Sequence, residues 1–565
     1  MGLRLPFVRS VSNPTKKYIV NFGGLNYTDN YKEGELQDAT CVTSERFPHL
    51  SSLKKKYGAI NLKSPAGDSV KRIWGDGEHI AFFDWNKSEN IGRTVRFKQY
   101  GKSVSDFYDL EAVWGYGNTV QDTMVRLGNY LVAFLDENTS NESGNLAPLY
   151  MLKNTAYGWG SINCALRGQG NFSKNTLTLS GYTVDGGWQG YIDFNIGDSV
   201  SITGAKNTDN NLTLVITDMQ LNADESFILY FGDIEFTEEV KGGIEVSRSI
   251  PANFQFPIAI NNRIWGVSNN IICASALGDP VNWNKFEGLA SDSYQVGVDT
   301  ALEFTGSGEY DSSPILFKED VIYRMYGTIP ANYSLQKYDA PGVMKGCSKS
   351  VCKINEMLYY KGKRGVYRYA GGLPVCISDS LGDLSEYKNA VAGEDGRRYY
   401  ISMQKGNDWN MFVYDTLTNT WFKENDVHSV SFAKYGNTMY YLDELSNLWC
   451  YEFDNQNGLG ILPENRVYSW DYTFKPFSET IYERKVYSRL YLRLELSEGA
   501  WATVYVQHDS KPWEEVQTVK GGSELTTVTV PIRLKKCDKF SIKIEGEGEC
   551  CLQTLVREYR TAGDK

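Results

Sequence analysis

Histidine is nearly missing from this chain: 565 residues hold four, at His49, His79, His428 and His508. The ten cysteines form no CxxC pair and have no histidine at ligand spacing, so no zinc site is expected. A disulfide framework is not expected either, because a chain of this size builds its own core. The cysteines read as reduced, buried thiols of a protein made in a cytoplasm. No window approaches the length of a transmembrane helix. The start, Met1-Gly2-Leu3-Arg4-Leu5-Pro6-Phe7-Val8-Arg9, lacks the apolar stretch of a signal peptide, so a soluble chain outside the usual secretion route is expected. Proline is scarce, at 16 residues, and long amphipathic helical patterns are nearly absent.

The motifs of common chemistries are missing as well. There is no P-loop and no GxSxG elbow. Gly306-Ser307-Gly308 and Gly458-Leu459-Gly460 lack the further glycine and the strand–helix setting of a dinucleotide fingerprint. Four scattered histidines leave little material for a Ser-His-Asp triad. Asn207-Thr208-Asp209-Asn210-Asn211 lacks the spaced acidic residues of a calcium loop and reads as a hairpin turn.

What the chain has is aromatic strand. It is 41% hydrophobic and 13% aromatic, with 38 Tyr and 53 Gly, a balance that suits pleated half-buried surfaces joined by tight turns. One pattern recurs: a turn of Asn, Gly or Asp, then a short run rich in Tyr, Phe, Trp and Ile. Copies begin at Gly77-Glu78-His79, Gly128-Asn129-Tyr130, Asn262-Arg263-Ile264, Glu319-Asp320-Val321, Asn355-Glu356-Met357, Asp395-Gly396-Arg397 and Gly436-Asn437-Thr438. From the third copy their spacing is roughly that of a four-stranded propeller blade. Tyr414-Asp415-Thr416-Leu417-Thr418-Asn419-Thr420-Trp421 resembles a kelch-type blade ending pinned by a tryptophan.

The expected fold is therefore all-β: a β-propeller with an inserted small β-barrel and a C-terminal β-sandwich. Residues 1–60 read as an N-terminal extended arm that wraps a neighbouring surface or donates a strand to close the propeller. Residues 61–165 read as the first part of the propeller and 251–466 as the second, with the blade number hidden by the insertion. Between them, 166–250 holds several short alternating strands, among them Asn175–Ser180, Asn211–Ile216 and Ser226–Phe231, which suit a small barrel. From 467 to 565, Leu490, Leu492, Leu494 and Leu496, then Ala502, Val504 and Val506, Val528 and Val530, and Phe540, Ile542 and Ile544 alternate with polar residues, as sandwich strands do.

The net charge of −11 favours solubility and disfavours nucleic-acid binding. Lys54-Lys55-Lys56, Lys361-Gly362-Lys363-Arg364 and Arg533-Leu534-Lys535-Lys536 are local basic clusters, read as solvated turns. Carboxylates are the one catalytic resource in supply. Asp233 with Glu235, Glu394 with Asp395, and Glu545 with Glu547 are candidate pairs for glycoside hydrolysis, which needs two carboxylates facing each other across a sugar. The plainer reading makes them turn caps. Trp85, Trp114, Trp159, Trp188, Trp283, Trp409, Trp421 and Trp513 sit near turns, where a tryptophan packs between blades or stacks on a sugar. No residue is assigned a catalytic, cofactor or metal role.

Several stretches resemble one family. Phe22-Gly23-Gly24-Leu25-Asn26 with Asp38-Ala39 and Arg46-Phe47-Pro48-His49-Leu50-Ser51 resembles the opening of propeller-containing tail structural proteins of tailed bacteriophages and prophages of gut Firmicutes. Gly197-Asp198-Ser199-Val200-Ser201-Ile202-Thr203-Gly204 with Asn210-Asn211-Leu212-Thr213, Leu277-Gly278-Asp279-Pro280-Val281-Asn282-Trp283, and Leu555-Val556-Arg557-Glu558-Tyr559-Arg560 are similar to that group too. Lys54-Lys55-Lys56 departs from it. The resemblance implies a virion structural protein that is not an enzyme: a nozzle-like tail ring of six copies. Such a ring would extend the portal and adaptor channel, contact adaptor proteins and tail fibres or spikes, and let genomic DNA pass without specific binding. It would be assembled in the bacterial cytoplasm, carry no membrane span and need no cofactor. The alternatives are a tail-tip propeller that binds host glycans and a propeller glycoside hydrolase.

Overall fold

The computed structural model describes residues 13–52, 57–59, 69–85, 93–103, 108–112, 123–134, 149–154, 158–162, 165–185, 194–248, 251, 253–424, 427–452, 459, 461–463, 468–479, 483–522 and 524–562. Lys54-Lys55-Lys56, Trp114, Trp188 and both glycines of Gly458-Leu459-Gly460 lie outside them, as does the side chain of Trp85.

The fold is all-β: a propeller carrying an inserted barrel and joined to a sandwich. Among the described residues the propeller strands form seven blades. Blade 1 spans 69–112, blade 2 123–162, blade 3 254–297, blade 4 304–339, blade 5 352–376, blade 6 387–423 and blade 7 429–450. Each of blades 1 to 6 is an antiparallel meander of four strands. The first strands of successive blades touch in a closed circuit, from blade 1 through blade 7 and back.

Closure rests on two devices. Blade 7 supplies Ser429–Tyr435, Thr438–Asp443 and Leu448–Cys450, and its fourth strand is Tyr57–Ala59, from near the other end of the chain. Ile461–Pro463 then pairs along the outer side of Tyr57–Ala59. At the centre, Lys434 and Tyr435 pair in parallel with Asp76 and Gly77 of blade 1. Gly75 is required there, because a Cβ would run into the Lys434 carbonyl oxygen.

The recurring turns have a common cause. The hairpins between first and second strands need left-handed backbone, found at Asn261 and Asn262 (φ 51° and 58°), Asp311 and Ser312 (48° and 53°), and Asn355 and Glu356 (48° and 61°). Six of the seven sequence copies fall on this hairpin. The copy at Glu319-Asp320 instead joins the second and third strands of blade 4, whose first hairpin is Asp311-Ser312. Side-chain alternation alone does not distinguish these two turns.

The insertion, between blades 2 and 3, is a closed six-stranded barrel from Ala165 to Arg248, filled by Leu177, Leu179, Val200, Ile216, Leu229, Phe231 and Ile244. Within it, Asn207–Asn211 lies in the hairpin connection between the antiparallel strands Ser199–Thr203 and Thr213–Leu221. Thr208–Asn210 is one turn of 3-10 helix, with the Asn207 side chain accepting from the Asp209 amide.

The N-terminal stretch supplies strands to both sandwich and propeller: Thr15–Ile19 and Leu50–Ser52 pair with the last strand, Cys550–Ala562, Leu36–Thr40 pairs with Ser469–Phe474, and Tyr57–Ala59 goes to blade 7. Two sheets result, one built on Cys550–Ala562 and Arg484–Leu496, the other on Phe540–Glu547 and Trp501–His508. The physical reason is burial: Ile19, Phe22, Leu25, Leu36 and Ala39 join one core with Leu490, Leu492, Val504 and Ile542. The propeller is thus inserted in the sandwich, and the barrel in the propeller.

Candidate functional site

The candidate carboxylate pairs are occupied as hairpin and surface groups. Asp395 Oδ1 accepts from the amides of Arg397 (2.9 Å) and Arg398 (2.7 Å), and Oδ2 takes the Tyr400 hydroxyl at 3.0 Å. Glu394 accepts from Gly396 N and, at 3.2 Å, from Lys434 Nζ of blade 7. Glu545 and Glu547 lie on one sandwich strand, two residues apart, Glu545 paired with Lys543 at 2.5 Å and Glu547 accepting from Trp501 Nε1 at 3.3 Å. Asp233 is exposed and Glu235 half-exposed or more, at a barrel turn. These arrangements cap turns and pair surface charge.

The tryptophans divide. Trp283 is buried between blades 2 and 3, against Val125, Leu127 and Phe134 on one side and Ile264 and Phe254 on the other. Trp421 is buried in blade 6, and its indole N–H donates to the Ile377 carbonyl at the end of blade 5 (2.8 Å). Trp159 meets the His79 ring edge-on at 5.4 Å. Trp409 stacks on His428 at 3.7 Å, and His428 Nδ1 lies 2.9 Å from Glu444. Trp513, in the sandwich, is the open one, 38% exposed.

The basic cluster at 361–364 is not a wholly solvated turn. Lys361 is fully buried, its Nζ donating to the Gly362 carbonyl at 2.6 Å, and burial pushes its amine down to about 8. Lys363 reaches back to blade 4, pairing with Asp320 at 2.7 Å. Lys535 pairs with Glu514. The nine described cysteines are thiols, and burial raises Cys273 and Cys537 to about 12.

Three buried networks hold distant segments of the chain together, two of them where domains meet. At the first joint, the Leu25 amide donates to the Trp421 carbonyl at 2.7 Å, and the Tyr27 amide to the Ser380 carbonyl at 2.7 Å. A Cβ on Gly24 would stand 2.5 Å from the Trp421 oxygen, so only glycine lets the turn approach blade 6. Arg398 Nε adds a bond to Ser44 Oγ at 3.1 Å.

At the second joint the barrel meets blade 3. Asp198, just before the barrel strand Ser199–Thr203, and Arg248, at the end of the last barrel strand, are buried and pair at 2.8 Å. The second oxygen of Asp198 accepts from the Asn282 amide at 3.0 Å, and Asn282 Oδ1 accepts from the Ser199 amide at 2.9 Å. Asp198 is thereby bonded on both oxygens, the condition under which a buried charge is tolerated.

Within the sandwich Arg557, fully buried, donates from Nε to Glu479 at 2.9 Å, pairs with Glu33 and covers the Phe477 ring at 3.9 Å. Lys17 holds the other Glu479 oxygen at 2.7 Å, and that bond raises the Lys17 amine. Both ends of the chain and the strand leaving the propeller converge on one carboxylate.

Asp198, Asn282, Arg557, Gly24 and Leu25 all fall in the stretches that resemble tail proteins. Their partners Arg248, Glu479 and Glu33 do not, and no local pattern marks them, because the bonds span 50, 78 and 524 residues.

No family model and no curated protein sequence matches the chain. Among solved structures, an exo-β-1,3-galactanase from Phanerochaete chrysosporium is similar at 8% identity, covering 96% of this chain and 100% of that one, with a TM-score of 0.23. Kluyveromyces lactis Hsv2 follows at 9% identity, 63% and 97% coverage and a TM-score of 0.25. PorZ, of the type-IX secretion system of Porphyromonas gingivalis, gives 10%, 88%, 77% and 0.26. At these values none of the likenesses bears on activity.

Proposed function

We propose that this chain is a structural subunit of a tailed-phage virion, a nozzle-like ring component that extends the portal and adaptor channel and lets DNA pass. The observation that carries the reading is the coincidence just described: the stretches that resemble tail proteins supply the anchors that lock sandwich to propeller and barrel to propeller, and one that closes the sandwich on itself. A scaffold spends its special residues on joints. An enzyme spends them on a cleft, and the candidate carboxylates here cap hairpins and pair with lysines.

Two further features fit. The net charge of −11 suits a channel wall along which DNA slides. The propeller is tied into the sandwich at both its ends, through Tyr57–Ala59 and Ile461–Pro463, so load on one domain passes to the other through two strands. A ring of such subunits closes through heterologous contacts.

The test is incorporation. Purified chain is mixed with tail or virion extract and located by antibody labelling in the electron microscope. Labelling at the portal-side end of the tail is expected; labelling of host cell surfaces alone overturns the reading in favour of receptor binding.

A further inference from the structure

Blade 4 carries an arginine in a setting the joints do not use. Arg324 lies between two tyrosine rings, its guanidinium carbon 5.0 Å from the Tyr310 centroid and 4.4 Å from that of Tyr326. Its side chain is 7% exposed, yet its ion-pair partner, Asp311, is 78% exposed and stands on the first hairpin of the blade. The pairing is one-pronged: Nη2 donates to Asp311 Oδ2 at 3.0 Å and to Ser313 Oγ at 3.4 Å, while buried Nε has no hydrogen-bond partner. The hydroxyl of Tyr369, on the adjoining blade 5, is buried against the Arg324 guanidinium, and its O–H has no acceptor.

An arginine binds a carboxylate best side-on, through Nε and Nη2 together. Asp311 fills half of that fork. The rest of the fork and the Tyr369 hydroxyl lack an acceptor, which is costly for buried donors. The surroundings add an aromatic platform with polar edges: Tyr326 and Tyr338 are partly exposed, their hydroxyls 3.3 Å apart, and Tyr338 donates to Gln336 at 2.7 Å. The blade 5 hairpin is packed tightly on the far side, since a Cβ on Gly371 would stand 2.6 Å from the Tyr310 ring.

We infer that the Arg324 site binds a hexuronate, a sugar acid whose carboxylate displaces Asp311 from the guanidinium. The carboxylate takes Nε, Nη2 and the Tyr369 hydroxyl, the ring lies over Tyr326, and Asp311 swings into solvent. Asp311 is then a built-in competitor, and the inference does not rest on the structural reading, so its failure leaves that reading intact.

The test is calorimetric titration of the full chain with glucuronate, glucose and acetate, repeated on Asp311→Asn. Asparagine tolerates the left-handed φ of 48° at this position, so the variant keeps its hairpin. Saturable glucuronate binding is expected at millimolar concentration, absent for glucose and weaker for acetate. Asp311→Asn should tighten it by up to about tenfold, the scale of losing one competing charge pair. Arg324→Gln should abolish it with the melting curve still cooperative. No saturable binding to either the native chain or Asp311→Asn overturns the inference. Equal binding of glucose, or of acetate and glucuronate, overturns it as well.

Discussion

The side-chain amide of Asn282 donates to Asp198 Oδ1 at 3.0 Å, joining a blade 3 loop to the barrel across 84 residues of chain. With Arg248 on the other oxygen, the carboxylate ties the last barrel strand and the start of Ser199–Thr203 to the host blade at one point.

Asp198→Ala therefore leaves the Arg248 guanidinium buried without its counter-ion. We expect a loss of about 3–5 kcal/mol, felt first in the barrel. Hydrogen exchange should rise in Ala165–Arg248 ahead of the blades. Asp198→Ala combined with Arg248→Met should recover most of the loss, because the stranded charge is gone. Unchanged exchange in the single variant would show that the barrel is held by other contacts.

Gly24→Ala drives a methyl into the Trp421 carbonyl. The expected cost is about 1–3 kcal/mol, the range for overpacking a closed site, read as a lower melting temperature. Alanine at Gly372, with open space around its position, is the control and should be close to neutral.

Lys361 makes stability depend on alkaline pH. Its folded-state pKa, about 8, lies below the ordinary 10.5, so the unfolded chain binds the proton more tightly. The penalty is full below pH 8 and is relieved as pH rises toward 10.5. Relative to Lys361→Met, the native chain should gain about 2 kcal/mol between pH 8 and 10. Parallel denaturation curves for the two proteins across that window would refute the buried charge.

His508 acts in the acid range. Burial lowers its folded-state pKa below 6.5, so the group favours unfolding as pH drops through 6.5, when the unfolded chain takes up the proton first. His508→Gln should flatten that part of the acid unfolding profile, measured by fluorescence.

Much of this architecture is legible along the chain because it is local. Period-2 runs such as Leu490, Leu492 and Leu494 mark sandwich strands, and Asn or Gly turns mark blade hairpins. What escapes is non-local. Nothing near Thr15–Ile19 says that its partner is Val556 or Tyr559, and the expected strand donation from residues 1–60 does not single out Tyr57–Ala59 or blade 7. The blade number stays open in the sequence because the inserted barrel separates blades 2 and 3. At the joints the anchor residues lie in recognisable stretches, whereas Arg248, Glu479 and Glu33 are ordinary charges until the fold brings them together.

The claim that matters most is that the chain is built for a ring. Electron microscopy and native mass measurement of the purified protein, alone and with portal-side tail proteins, test it most directly. The account predicts closed rings, six copies around a channel, formed alone or on adding those proteins. A chain that stays monomeric under both conditions would contradict it.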